Sequence, residues 1–126
     1  MKKILIVIAD YYEDISSSLL KSAKNNLNNF SLNVIRVPGV FEIPITISKN
    51  INKFDAFIAL GWVIKGETHH FDIISNASTQ AIMNLSVGSK KPIGNGIITC
   101  LNMKQAKARG RKGSEAAQAV ISVLSQ

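Results

Sequence analysis

At 126 residues the chain has the length of one compact domain able to bury a proper core. Its 46% hydrophobic and 18% charged content fits a globular α/β protein, and no apolar run approaches the ~20 residues that span a bilayer, so insertion into a membrane is not expected. The single cysteine, Cys100, excludes an intramolecular disulfide, while a net charge of +7 admits nucleic acid, an acidic surface or a phosphorylated small molecule without choosing among them.

Met1-Lys2-Lys3 followed by Ile4 to Ala9 is too short for the apolar segment of a signal peptide and precedes no small-residue cleavage site, which predicts a cytoplasmic protein. Lys3–Ala9 reads instead as a strand. Leu32–Val37, Ala56–Gly61 and Ile93–Thr99 repeat its nearly continuous apolar character, as strands buried on both faces require. Helical stretches alternate with these runs. The pattern predicts a three-layer α/β/α sandwich around a four-stranded parallel sheet, flavodoxin-like, in a single domain over residues 1–126.

The first connection carries Ile15, Leu19, Ala23 and Leu27 at every fourth position, the stripe of a surface helix. The second starts at the turn signal Pro38-Gly39, and Pro44 sits early in a short helix through about Ile51, where its missing N–H costs little. A third helix opens near Thr68 and closes at Gly88, a residue suited to the left-handed position after a helix. A fourth starts at about Asn102, is disturbed at Gly110 and Gly113, and resumes through Ala116, Val120 and Leu124.

In such sheets ligands bind beyond the carboxyl ends of the strands, which singles out Tyr11-Tyr12, Gly39 to Glu42, Trp62 to His70, and Asn95 to Asn102. Gly66 and Thr68 open a helix whose free N–H groups suit an anion such as phosphate, or simply form a capped turn. His70 in the first helical turn has its charged form disfavoured by the helix dipole, which suits a general base and equally an ordinary surface imidazole. His69 points elsewhere, so the adjacent histidines are not a metal pair, and no metal is expected. Glu42 offers a carboxylate toward the cleft. Tyr11 offers a flat face for a heteroaromatic ring, or a core contact. Arg109 can fork onto phosphate oxygens, although its default is a solvated charge.

The order of these segments resembles the lumazine synthase family over nearly the whole chain. Val37-Pro38-Gly39-Val40-Phe41-Glu42-Ile43-Pro44 is similar to the family's VPGxFEIP signature, and Ala59 to Asp72 to its ALGxVIxGET-x-HFD signature. Pro92-Ile93-Gly94-Asn95-Gly96-Ile97-Ile98-Thr99, followed by Gln105-Ala106 and Arg109, is similar to its PIGxGxLT…QA…R segment. The resemblance implies a site assembled between neighbouring subunits of a ring. Tyr11 would stack on a pyrimidine, Val40, Phe41 and Glu42 would hold a ribityl chain, and Trp62, Val63 and Ile64 would line the ring pocket. Glu67 and Thr68 would bind phosphate and His70 would transfer protons. From the adjacent subunit, Asn95 would face the heterocycle, Arg109 would clamp the phosphate, and Lys112 would stand for a lysine of the family's site.

The implied reaction condenses 5-amino-6-(D-ribitylamino)uracil with 3,4-dihydroxy-2-butanone 4-phosphate and needs no cofactor, because nothing is oxidised or reduced. Three departures from the pattern bear on this expectation: a start directly at the first strand, which favours a homopentamer over a larger shell; a short Gly110-Arg111-Lys112-Gly113 segment; and Asn95 in place of an aromatic residue. A phosphoacceptor receiver is disfavoured because Leu60-Gly61 ends the third run where an acceptor aspartate is required. A nucleic-acid-binding role, motivated by Lys104, Lys107, Arg109, Arg111 and Lys112, is not expected, and would reveal itself in steep salt dependence.

Overall fold

The computed structural model describes residues 1–65 and 71–126. Its strands are β1 (Lys3–Ala9), β2 (Ser31–Val37), β3 (Ala56–Ile64) and β4 (Ile93–Cys100). All pair in parallel, in the order β2-β1-β3-β4. The helices are α1 (Glu13–Lys24), α2 (Ile43–Lys49), α3 (Phe71–Ser89), α4 (Met103–Ala108) and α5 (Lys112–Leu124), with a 3-10 turn at Val40–Glu42 before α2. The expected three-layer α/β/α sandwich is observed.

Strand alternation divides the apolar side chains between two cores. Ile4, Ile6 and Ile8 of β1 join Ile58, Leu60, Trp62 and Ile64 of β3 in a cluster closed by α1, α4 and α5, through Leu19, Ala106, Ala117 and Val120. Leu5, Val7 and Ala9 join Phe57, Ala59 and Val63 in a second cluster, closed by Val40, Ile43, Ile47 and Ile82. The central strands β1 and β3 are therefore buried on both sides, which is why their sequences are continuously apolar. Edge strand β4 alternates, with Gly94, Gly96, Ile98 and Cys100 buried and Asn95 and Thr99 exposed.

Four boundaries differ from expectation. First, β3 continues past Gly61 to Ile64, so Trp62, Val63 and Ile64 are strand residues rather than turn residues. A Cβ on Gly61 would meet Val40 Cγ2 at 2.9 Å and Ala9 Cβ at 3.2 Å. The glycine thus admits the 3-10 turn onto the sheet and does not mark a chain reversal. Second, α3 does not close at Gly88. It runs to Ser89, and Lys90 takes the left-handed conformation with φ 60°. Side-chain ties hold this turn: Ser86 Oγ donates to Lys91 O at 2.8 Å, and Lys91 Nζ to Ile51 O at 2.6 Å.

Third, Leu27 lies beyond α1, although it is fully buried as its spacing implied. Fourth, the last helical stretch is two helices, and Gly113 lies inside the first turn of α5. A Cβ there would stand 2.1 Å from Leu19 O. The glycine lets α5 press against α1, and Ser22 Oγ bridges them by donating to Gly110 O at 2.8 Å and accepting from Ser114 N at 3.1 Å. The expected helix opening near Thr68 lies outside the described residues.

Candidate functional site

Because the strands are parallel, their exits gather at one end of the sheet. There β1 delivers Tyr11 and Tyr12, the segment after β2 delivers Gly39, Val40 and Phe41, and β3 delivers Trp62, Val63 and Ile64. With Ile74 from the first turn of α3 these residues line a cavity of about 210 Å³. Six residues selected from sequence, Tyr11, Val40, Phe41, Trp62, Val63 and Ile64, thus meet in one place. Tyr12 stands out in the sequence only by its position after β1, and Ile74 carries no signal, because an isoleucine on a long helix reads as core.

The walls divide into rigid and exposed parts. Val40, Trp62, Val63 and Ile64 are buried, whereas Tyr11 is 70% and Phe41 63% exposed, an unusual position for two large apolar rings. Tyr11 stands edge-on to Tyr12, ring centroids 4.7 Å apart. The two tyrosines also wall a second hollow of about 550 Å³, shared with Asp10, Glu13, Asp14, Met103 and Lys107. Trp62 Nε1 is a buried donor with no partner among the described residues. An unsatisfied donor of this kind costs about 1–3 kcal/mol.

Glu42 does not line the cavity. A Cβ on Gly39 would lie 3.2 Å from Glu42 Oε1, so the carboxylate folds back over Gly39 at the cavity's rim. With Phe41 it borders a neighbouring apolar groove of about 340 Å³, completed by Pro44, Ile45 and Ala77. Asp10, at the exit of β1, is fixed by Arg36 of β2, whose Nη1 donates to Oδ1 at 2.9 Å.

Asn95, Arg109 and Lys112 are not brought to the tyrosine cavity of their own chain. Asn95 is exposed on edge strand β4, and its Oδ1 accepts from Ile97 N at 3.0 Å. Arg109 and Lys112 border a separate hollow of about 570 Å³ with Ser22, Asn25, Asn26 and Arg111. Lys112 Nζ pairs with Glu115 at 2.9 Å. Arg109 Nη1 donates to Thr99 O at 3.0 Å and approaches Cys100 Sγ at 3.9 Å. The remaining guanidinium N–H groups meet no acidic side chain among the described residues. Glu67, Thr68, His69 and His70 lie outside the described residues. Among the described residues no cluster of His, Cys, Asp or Glu is placed to hold a metal, and no helix is long and apolar enough to cross a membrane.

Cys100 closes β4 and is 2% exposed. Burial pushes its thiol above the ordinary 9.0, partly offset by the charge and hydrogen bond of Arg109. The neutral thiol is thus favoured by folding. The stability it contributes is complete below pH 9.0 and is lost as pH rises through the higher folded value. Cys100→Ala is expected to flatten the alkaline decline in melting temperature relative to the parent chain. An identical decline in both proteins would assign it to other groups.

The sequence profile described as 6,7-dimethyl-8-ribityllumazine synthase matches residues 1–126. A 6,7-dimethyl-8-ribityllumazine synthase of Agrobacterium fabrum is 44% identical over 135 aligned positions, covering 96% of this chain and 91% of that protein. Its counterpart in Bartonella tribocorum is 43% identical, covering 96% and 87%. The chain is likewise similar to 6,7-dimethyl-8-ribityllumazine synthase 1 of Rhizobium meliloti, at 40% identity over 96% and 88%.

Proposed function

Since the chain belongs to the 6,7-dimethyl-8-ribityllumazine synthase family, we propose that the tyrosine-walled cavity at the strand exits is the half-site for its pyrimidine substrate. The enzyme is a transferase of riboflavin biosynthesis. It condenses 5-amino-6-(D-ribitylamino)uracil with 3,4-dihydroxy-2-butanone 4-phosphate to 6,7-dimethyl-8-ribityllumazine, releasing phosphate and water. The observation that carries the site assignment is the meeting of Tyr11, Val40, Phe41, Trp62, Val63 and Ile64 around one cavity.

In this reading the exposed Tyr11 ring stacks on the pyrimidine, and the strand backbone at Trp62 to Ile64 borders its edge. Phe41 and Glu42 flank the ribityl chain at the rim. The exocyclic amine attacks the ketone and water leaves. Phosphate is then eliminated, and the second amine closes the ring with loss of another water. Glu67 and Thr68 hold the phosphate and His70 moves protons. Holding two flexible substrates in one orientation supplies most of the acceleration.

Arg109, Lys112 and Asn95 complete the site from an adjacent copy, as the family resemblance implies, and this reading is supported by none of the three lining the cavity of its own chain. The family is one of oligomeric enzymes acting on small molecules, and a homopentamer of single-domain subunits in the cytoplasm is the assembly proposed. Combining the purified protein with both substrates and following the fluorescent lumazine tests the activity, and absence of product would refute it. His70→Ala is expected to lower kcat about a hundredfold with pyrimidine affinity retained, the lower end of what a positioned proton-transfer group contributes. An unchanged kcat would remove His70 from the mechanism.

A further inference from the structure

The corner between β4 and α4 is tied more firmly than a surface turn requires. Asn102 caps α4, its Oδ1 accepting from Gln105 N at 2.9 Å and its carbonyl from Ala106 N at 3.2 Å. Gln105 answers with Oε1, which accepts from Leu101 N at 2.8 Å, a reciprocal arrangement akin to a capping box. One turn later Arg109 Nη1 donates to Thr99 O at 3.0 Å. Residues four apart share a helix face. Gln105 and Arg109 therefore reach back together and grip the main chain on either side of Cys100.

Beneath them Ala106 is fully buried, and Met103 packs against the cluster that holds Trp62, Ile98 and Cys100. A helix of this length does not persist without outside support. Its direction, and hence the place at which Arg109 leaves it, depends on the cap and on this apolar seat. We propose that Asn102 and Gln105 are positioning residues that fix the Arg109 guanidinium for the phosphate of the neighbouring site. The inference rests on the phosphate role given to Arg109 above.

The test uses the full-length oligomer with inorganic phosphate as a competitive probe, beside steady-state kinetics for both substrates. Asn102→Ala and Gln105→Leu are each expected to weaken phosphate inhibition and raise KM for the phosphorylated ketone about fivefold, the typical cost of a lost cap. KM for the pyrimidine should hold. Asn102→Ser, which restores an uncharged cap oxygen, should return both values to within about twofold of the parent. Equal effects on both substrates, failure of the serine rescue, or unaltered phosphate inhibition in Gln105→Leu would overturn the proposal. Arg109→Ala separates the two levels: if it leaves phosphate inhibition intact, the assignment of Arg109 is itself wrong and the positioning role falls with it. Should Asn102→Ala fail to fold, Gln105→Leu decides the matter, because Gln105 is half-buried and its loss empties no core position.

Discussion

Arg109→Ala is expected to raise KM for the phosphorylated ketone about a hundredfold, the equivalent of losing one or two charge-assisted hydrogen bonds to phosphate. KM for the pyrimidine should change by less than about threefold, because the proposed partner of Arg109 is the phosphate, which the pyrimidine lacks. Structural damage should be slight: the side chain is exposed, and its ties among the described residues are the bond to Thr99 O and the longer one to Cys100 Sγ. Arg109→Lys should recover only part of the loss, since an ammonium keeps the charge but not the planar fork. Steady-state kinetics with each substrate varied in turn decides the matter, and equal rises in both KM values would detach Arg109 from the phosphate.

A large stability effect is expected at Gly94. A Cβ there would lie 2.3 Å from Ala116 O and 3.0 Å from Val120 Cγ2, so an alanine must push α5 off the sheet. The obstruction is backbone, which cannot rotate aside as a flexible side chain can. Gly94→Ala should cost about 3 kcal/mol or more, lowering the melting temperature on the order of 10 °C. Gly88→Ala is the matched control. Nothing lies within 4 Å of the Cβ it would add, and alanine is the better helix former, so a gain of about 0.5–1 kcal/mol is expected. Thermal melts at equal protein concentration compare the two, and a Gly94→Ala protein as stable as the parent would mean that α5 is not held this closely.

These glycines show how far local pattern reaches. Gly88 and Gly61 both carry a turn signal in sequence, yet one lies inside α3 and the other inside β3. The left-handed position after α3 falls to Lys90, in a turn held by Ser86 and Lys91. A glycine's neighbours in space, unlike its neighbours in sequence, are invisible in a single chain read from end to end. Val40 above Gly61 and Leu19 O above Gly113 are such neighbours.

Legible in the sequence are the layer architecture, the apolar strand runs and helix stripes that build the cores, and most of the residues gathered at the strand exits. Each follows from short-range periodicity: strands buried on both faces must be apolar throughout, helices must carry a stripe, and parallel strands must open their exits at one end. The tertiary structure alone decided the order β2-β1-β3-β4, the continuation of β3 through Trp62 to Ile64, and the folding of Glu42 over Gly39. It also decided the separation of Arg109 and Lys112 from the tyrosine cavity. These features depend on contacts between segments far apart in the chain, whose energies come from close packing and from hydrogen bonds across tens of residues. No local spacing rule encodes them.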